Sequence, residues 1–160
     1  MTILDPATGT GTFLLGVAER VRDQVMAEAS PAEAVMALGE LAGRMFGFEL
    51  LVGPYAVAHY RLHHTLKNLP GDVDEELPEV DLPRLGIYLA DTLSNPATDT
   101  PIGALGIQGI PIAEERREAN RIKAEQEVIA IIGNPPYRRL EEGENLTLVG
   151  RWMDEKWDDL

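Results

Sequence analysis

Apolar residues recur along the chain in two alternating rhythms. Thr2-Ile3-Leu4 reads as a short strand, and Leu14, Val17, Val21 and Val25 then follow at helical spacing. Ser30, Pro31 and Glu33 form a helix start, with an N-cap hydroxyl, a proline in the first turn and a capping-box acid; this second helix is expected to run to about Ala42. Arg44 to Glu49 reads as a buried strand that ends in an acid. Gly53-Pro54 opens a third helix whose inner face carries Tyr55, Ala58, Leu62 and Leu66. Leu85 to Ala90 is the next strand, followed at once by Asp91, and Ala113 to Gln126 reads as a strongly charged helix. Val128 to Ile132 is the clearest strand, an apolar, β-branched-rich run of the kind a central parallel strand shows when covered on both faces. It stops at Gly133-Asn134-Pro135-Pro136-Tyr137.

Two stretches break the rhythm. Residues 70–83 crowd acids among prolines and read as a solvated acidic linker, while 92–112 lacks periodicity and reads as a functional or mobile loop. No internal repeat is visible.

Strands alternating with helices predict an α/β fold with a parallel sheet. In such sheets ligands sit at the carboxyl ends of the strands, where the winding reverses. Four polar clusters fall at those ends: the loop Asp5 to Leu14, Glu49, Asp91 and the run from Asn134 to Tyr137. Gly9 and Gly11 permit a sharp turn and close backbone approach, and the helix behind them offers unpaired N–H groups to an anionic ligand. Leu14 stands where the dinucleotide fingerprint needs a small residue, and no Walker lysine follows, so neither of those phosphate loops is spelled out. A strand-end carboxylate can accept hydrogen bonds from ribose hydroxyls or an adenine amino group. Two prolines stiffen the backbone after Asn134, whose amide oxygen and a neighbouring carbonyl can together accept from one exocyclic amine, with Tyr137 as a stacking face.

Composition narrows the field. The 160 residues are 44% hydrophobic and 26% charged, enough for a core and too ordered in pattern for a disordered tail. There is no cysteine, which excludes disulfides, thiolate metal sites and a cysteine nucleophile. No apolar stretch is long enough for a membrane helix and Met1 to Asp5 is no signal peptide, so no membrane partner and a cytoplasmic location are expected. Fourteen basic against 27 acidic residues give a net −13, which repels a phosphate backbone. His59 and His63 lie four apart but lack the companions of a zinc helix and read as a surface pair, so no metal is expected. Trp152 and Trp157 read as core or interface residues.

The run Asp5-Pro6-Ala7-Thr8-Gly9-Thr10-Gly11-Thr12-Phe13-Leu14, followed in order by Asn134-Pro135-Pro136-Tyr137, resembles the S-adenosylmethionine-dependent DNA adenine-N6 methyltransferases. Gly47-Phe48-Glu49-Leu50 and Tyr88-Leu89-Ala90-Asp91-Thr92-Leu93 look most like the methyltransferase region of the Type ISP restriction-modification enzymes. The resemblance implies a three-layer Rossmann-like parallel sheet of the class I methyltransferase type, here incomplete, with strands in the order 3-2-1-4. It implies S-adenosylmethionine as cofactor: Asp5, Thr8, Gly9, Thr10 and Gly11 at its methionine end, Glu49 on the ribose, and Asp91 with Thr92 at the adenine. Asn134 and the Pro135 carbonyl would hold the N6 amine of a flipped-out adenine, with Pro136 stiffening the box and Tyr137 stacked on the base. DNA would be reached through target-recognition regions that this chain lacks, as part of a larger restriction-modification polypeptide. The chain is thus expected to be a fragment with little methylation activity alone. Two alternatives stand beside this reading: a protein glutamine-N5 methyltransferase with a similar Asn-Pro-Pro-Tyr box, and an inactive truncated remnant.

Overall fold

The computed structural model describes residues 1–67, 82–94 and 110–135. Most of the acidic linker and of the 92–112 loop, together with Pro136, Tyr137, Trp152 and Trp157, lie outside the described residues. Four strands and four helices alternate: β1 (Ile3–Asp5), α1 (Thr12–Glu28), α2 (Pro31–Ala42), β2 (Met45–Glu49), α3 (Val52–Lys67), β3 (Gly86–Leu89), α4 (Ile110–Glu125) and β4 (Ala130–Ile131).

All pairings are parallel, and the sheet order is β3-β2-β1-β4. Ile3 faces Met45 on one side and Ala130 on the other, while Phe46 to Glu49 run beside Gly86 to Leu89. The α/β class and the predicted strand order are therefore those of a Rossmann-like sheet.

Side chains alternate across the pleat and split the core in two. Ile3, Met45 and Ile87 join Leu14, Ala18, Leu38, Leu62 and Leu66 from α1, α2 and α3. Leu4, Phe46, Phe48 and Tyr88 join Ala119 and Ile122 of α4. Helices thus cover both faces, three on one and α4 on the other. After β3 the chain crosses behind the sheet and returns on the far side of β1, so the winding reverses between β1 and β4.

Local signals explain the helix starts. Ser30 Oγ accepts the Glu33 N–H at 3.4 Å, and Glu33 Oε2 accepts the Ser30 N–H at 2.8 Å, completing the capping box. These Ser30 bonds hold the Glu33 carboxyl below its ordinary pKa. α4 begins three residues before the periodicity suggests, because Pro111 occupies the first turn, where its missing N–H costs no helical bond.

β4 corrects one expectation. The run Val128 to Ile132 predicts a central strand covered on both faces, yet only Ala130–Ile131 form the strand. Among the described residues β4 pairs with β1 alone, and Ile129 and Ile131 are 65% and 70% exposed. The apolar run needs cover on two sides, and the described elements supply a neighbour on one.

Candidate functional site

The four polar clusters come together along one edge of the sheet because all strands are parallel. Asp5 ends β1, Glu49 ends β2, Asp91 lies two residues past the end of β3, and Gly133 two past β4.

The glycine loop is built around two left-handed residues, Gly9 at φ 54° and Gly11 at φ 79°. The Gly11 N–H donates to the Thr8 carbonyl at 2.8 Å, closing the turn, and Gly11 then serves as the N-cap of α1 without a capping side chain. The first N–H groups of α1 thus meet no N-cap side chain, as a helix that receives an anionic group requires.

Asp5 and Thr8 lie beneath this loop rather than on it. Asp5 is completely buried; its Oδ1 accepts the Ala7 N–H at 3.1 Å, and its Oδ2 has no hydrogen-bond partner. Burial raises the Asp5 pKa, the Ala7 N–H opposes that rise, and the negative Glu49 adds to it. Thr8, 4% exposed, donates from its hydroxyl to the Asp5 carbonyl at 3.0 Å and from its N–H to the Phe48 carbonyl at 3.0 Å. Thr10 is exposed.

Glu49 closes the loop from the neighbouring strand. Its Oε2 accepts the Gly9 N–H and its Oε1 the Leu51 N–H, each at 2.8 Å. Asp91 is exposed, and its Oδ1 accepts the Leu93 N–H at 2.9 Å. The Thr92 hydroxyl donates to the Pro6 carbonyl, joining the β3 end to the β1 end across the intervening β2. Asn134 and Pro135 are exposed beyond β4, and Ile132 keeps the strand register through its N–H to the Leu4 carbonyl at 3.0 Å. The rest of the box, Pro136 and Tyr137, lies outside the described residues.

The loop, the two acids and the Asn134 amide line one edge of the sheet, where such groups could hold a nucleoside-bearing ligand. Exposed Asp91 is open to an amino group and partly exposed Glu49 to hydroxyls; the Thr8, Gly9 and Gly11 N–H groups already donate within the chain, so the uncapped first turn of α1 is what the loop offers to a carboxylate. No set of three or more histidine, aspartate or glutamate side chains converges as a metal site among the described residues.

A similar fold is found in solved DNA complexes, two of them of Type ISP restriction-modification enzymes. A nuclease-deletion mutant of the Type ISP restriction-modification enzyme LlaGI, in complex with a DNA substrate mimic, matches 92% of this chain at 27% identity and a TM-score of 0.59. The DrdV–DNA complex matches 97% at 25% identity and a TM-score of 0.60. The ATP-dependent Type ISP restriction-modification enzyme LlaBIII bound to DNA matches 99% at 25% identity and a TM-score of 0.63. The chain spans 11%, 13% and 10% of the lengths of those three chains. No protein-family model and no curated protein sequence matches it.

Two supporting residues escape a reading of the sequence. Arg61 of α3 donates from Nη1 to the Thr10 carbonyl at 2.9 Å and to the Thr10 and Thr12 hydroxyls at 3.2 and 3.3 Å, bracing the loop. Lys123 of α4 donates to the Asp91 carbonyl at 2.7 Å and to the Ser94 carbonyl and hydroxyl at 3.1 Å, bracing the other acid turn. Their partners are 51 and 32 residues away, and no local pattern signals such contacts.

His59 also differs from the expected surface residue. It is half-buried, and its Nε2 lies 3.2 Å from the Ile87 carbonyl, so that nitrogen carries the proton and donates. From the other face Glu115 Oε2 accepts the Leu89 N–H at 3.2 Å, and its Oε1 pairs with Arg84. Two side chains thus each satisfy one outward backbone group of β3, the Ile87 carbonyl and the Leu89 N–H.

Proposed function

We propose that the chain carries the S-adenosylmethionine pocket and the target-base box of a DNA adenine-N6 methyltransferase within a Type ISP restriction-modification enzyme. The observation that carries this reading is the convergence of the glycine loop, Glu49, Asp91 and Asn134 on one sheet edge in the order 3-2-1-4. The three DNA-bound neighbours support DNA as the target over a protein side-chain amide.

The bound cofactor supplies an electrophilic sulfonium methyl; the chain supplies position. The loop from Thr8 to Gly11, with the uncapped first turn of α1, would receive the cofactor's amino-acid end, Glu49 would accept from the ribose hydroxyls while holding Gly9, and Asp91 with Thr92 would receive the adenine. The amine of an adenine base is a poor nucleophile because its lone pair is delocalised into the ring. The Asn134 amide oxygen and the Pro135 carbonyl accept from its two hydrogens, favouring a pyramidal nitrogen with its lone pair free for in-line attack. Tyr137 would supply a stacking face for the flipped base. The −13 net charge repels a phosphate backbone, which supports a grip on DNA supplied by other parts of a longer polypeptide.

Calorimetric titration with S-adenosylhomocysteine tests the reading. The expected result is saturable binding that Asp91→Ala weakens by about tenfold or more, as loss of a charged hydrogen bond predicts. A folded chain that does not bind, or binds equally well after Asp91→Ala, overturns it.

A further inference from the structure

Gly133 immediately precedes Asn134, and its neighbour is the buried carboxyl of Asp5. A Cβ at Gly133 would lie 2.7 Å from Asp5 Oδ1 and 3.5 Å from its Cγ, with Pro6 Cδ at 3.3 Å. Gly133 does not have a positive φ, so nothing in its own backbone demands glycine. Space does.

The same carboxyl organises the loop on its other side. Oδ1 holds the Ala7 N–H, and the Asp5 carbonyl accepts the Thr8 hydroxyl. Meanwhile Oδ2 is buried without a donor, an arrangement that costs stability and is rare unless the group serves another end. β4 is pinned to β1 as far as Ile132, and Pro135 restricts the backbone of Asn134 from the other direction. Between those two restraints the chain rests on Asp5.

We propose that the Asp5 carboxyl is a positioning group shared by both halves of the site: it supports the glycine loop through Ala7 and sets the place of Asn134 through its contact with Gly133. This rests on the reading that the loop takes the cofactor and Asn134 the target amine. Asp5 is fully buried, so in this role it acts through the loop and the box, which it makes move together. By linkage, a cofactor that fixes the loop also fixes Asn134, and a displaced Asn134 weakens cofactor binding by the same factor.

The test is a double-mutant cycle on the whole chain with Gly133→Ala, Asp5→Ala and the double variant, read by thermal unfolding and by S-adenosylhomocysteine titration. Gly133→Ala is expected to lower Tm by about 5 °C, as overpacking does. In the Asp5→Ala background the same change is neutral or raises Tm, because the carboxyl oxygen at 2.7 Å is gone and alanine lowers the entropy of the unfolded chain. Equal losses in both backgrounds overturn the proposal. If Gly133→Ala fails to fold, recovery of folding in the double variant supports it, and failure of both overturns it. Folded Gly133→Ala is further expected to bind S-adenosylhomocysteine about tenfold more weakly, which lost stability alone would not produce. Unchanged affinity overturns the coupling and leaves the proposed function intact. An unaltered chain that does not bind counts against the proposed function, and the melting cycle still decides the contact.

Discussion

Glu49 Oε2 accepts the Gly9 N–H at 2.8 Å, so the acid that ends β2 is also the clasp on the loop that follows β1. The two residues are 40 positions apart, and a second N–H, from Leu51, occupies the other carboxylate oxygen. Glu49→Ala leaves both donors without this partner. The expected loss is about 1–3 kcal/mol, the range for a hydrogen bond to a charged group. Glu49→Gln keeps one acceptor and loses less; urea unfolding of both variants measures the difference.

Asp5 gives the fold a recognisable pH signature. Its pKa is raised in the folded chain, chiefly by burial, above the ordinary 3.8. Between that value and the folded pKa the native state holds a proton that the unfolded chain has released, so stability falls as pH rises through this window. Asp5→Asn keeps an acceptor for Ala7 and cannot ionise. The stability of the natural chain minus that of Asp5→Asn should therefore decline as pH climbs from below 3.8, then level off. A flat difference, followed by chemical denaturation at several pH values, would show that Asp5 is not perturbed.

His59 has the opposite sign. Burial lowers its pKa below the ordinary 6.5, against the raising effect of its bond to the Ile87 carbonyl. The unfolded chain then binds a proton that the folded chain refuses, and stability falls as pH drops from about 6.5 through the folded pKa. His59→Gln retains an N–H donor for Ile87 and should flatten that acid-side loss. Melting temperatures of the two proteins across mildly acidic pH report it directly.

Helix α3 separates core from surface cleanly. Leu62 is 1% exposed within the larger core cluster, while Tyr60 on the same helix is 72% exposed. Leu62→Ala should cost about 2–5 kcal/mol through lost burial and the cavity left behind. Tyr60→Ala should stay within about 0.5 kcal/mol. Guanidinium denaturation of the pair checks the assignment of faces.

Much of this architecture is legible in the sequence. The capping box at Ser30 and the 3.6-residue spacing of Ala58, Leu62 and Leu66 are local signals, and the helices they predict are present. The strand-end acids Glu49 and Asp91 could be listed from the sequence because apolar runs end there, and parallel pairing brings them to one edge. What could not be read depends on pairs far apart in the chain. Thr92 meets Pro6 across 86 residues, and His59 meets Ile87 across 28. The same limit explains β4: its composition asks for two neighbours, and composition cannot say which elements provide them.

The sealing of β3 has a consequence for growth of the sheet. With the Ile87 carbonyl taken by His59 and the Leu89 N–H by Glu115, a newcomer approaching that side finds no continuous ladder to join. The β4 side, where Ile129 and Ile131 stand exposed, has no comparable seal among the described residues. The sheet is thus a lopsided template: a strand that enlarges it is favoured beside β4, where it would bury the apolar run next to Asn134.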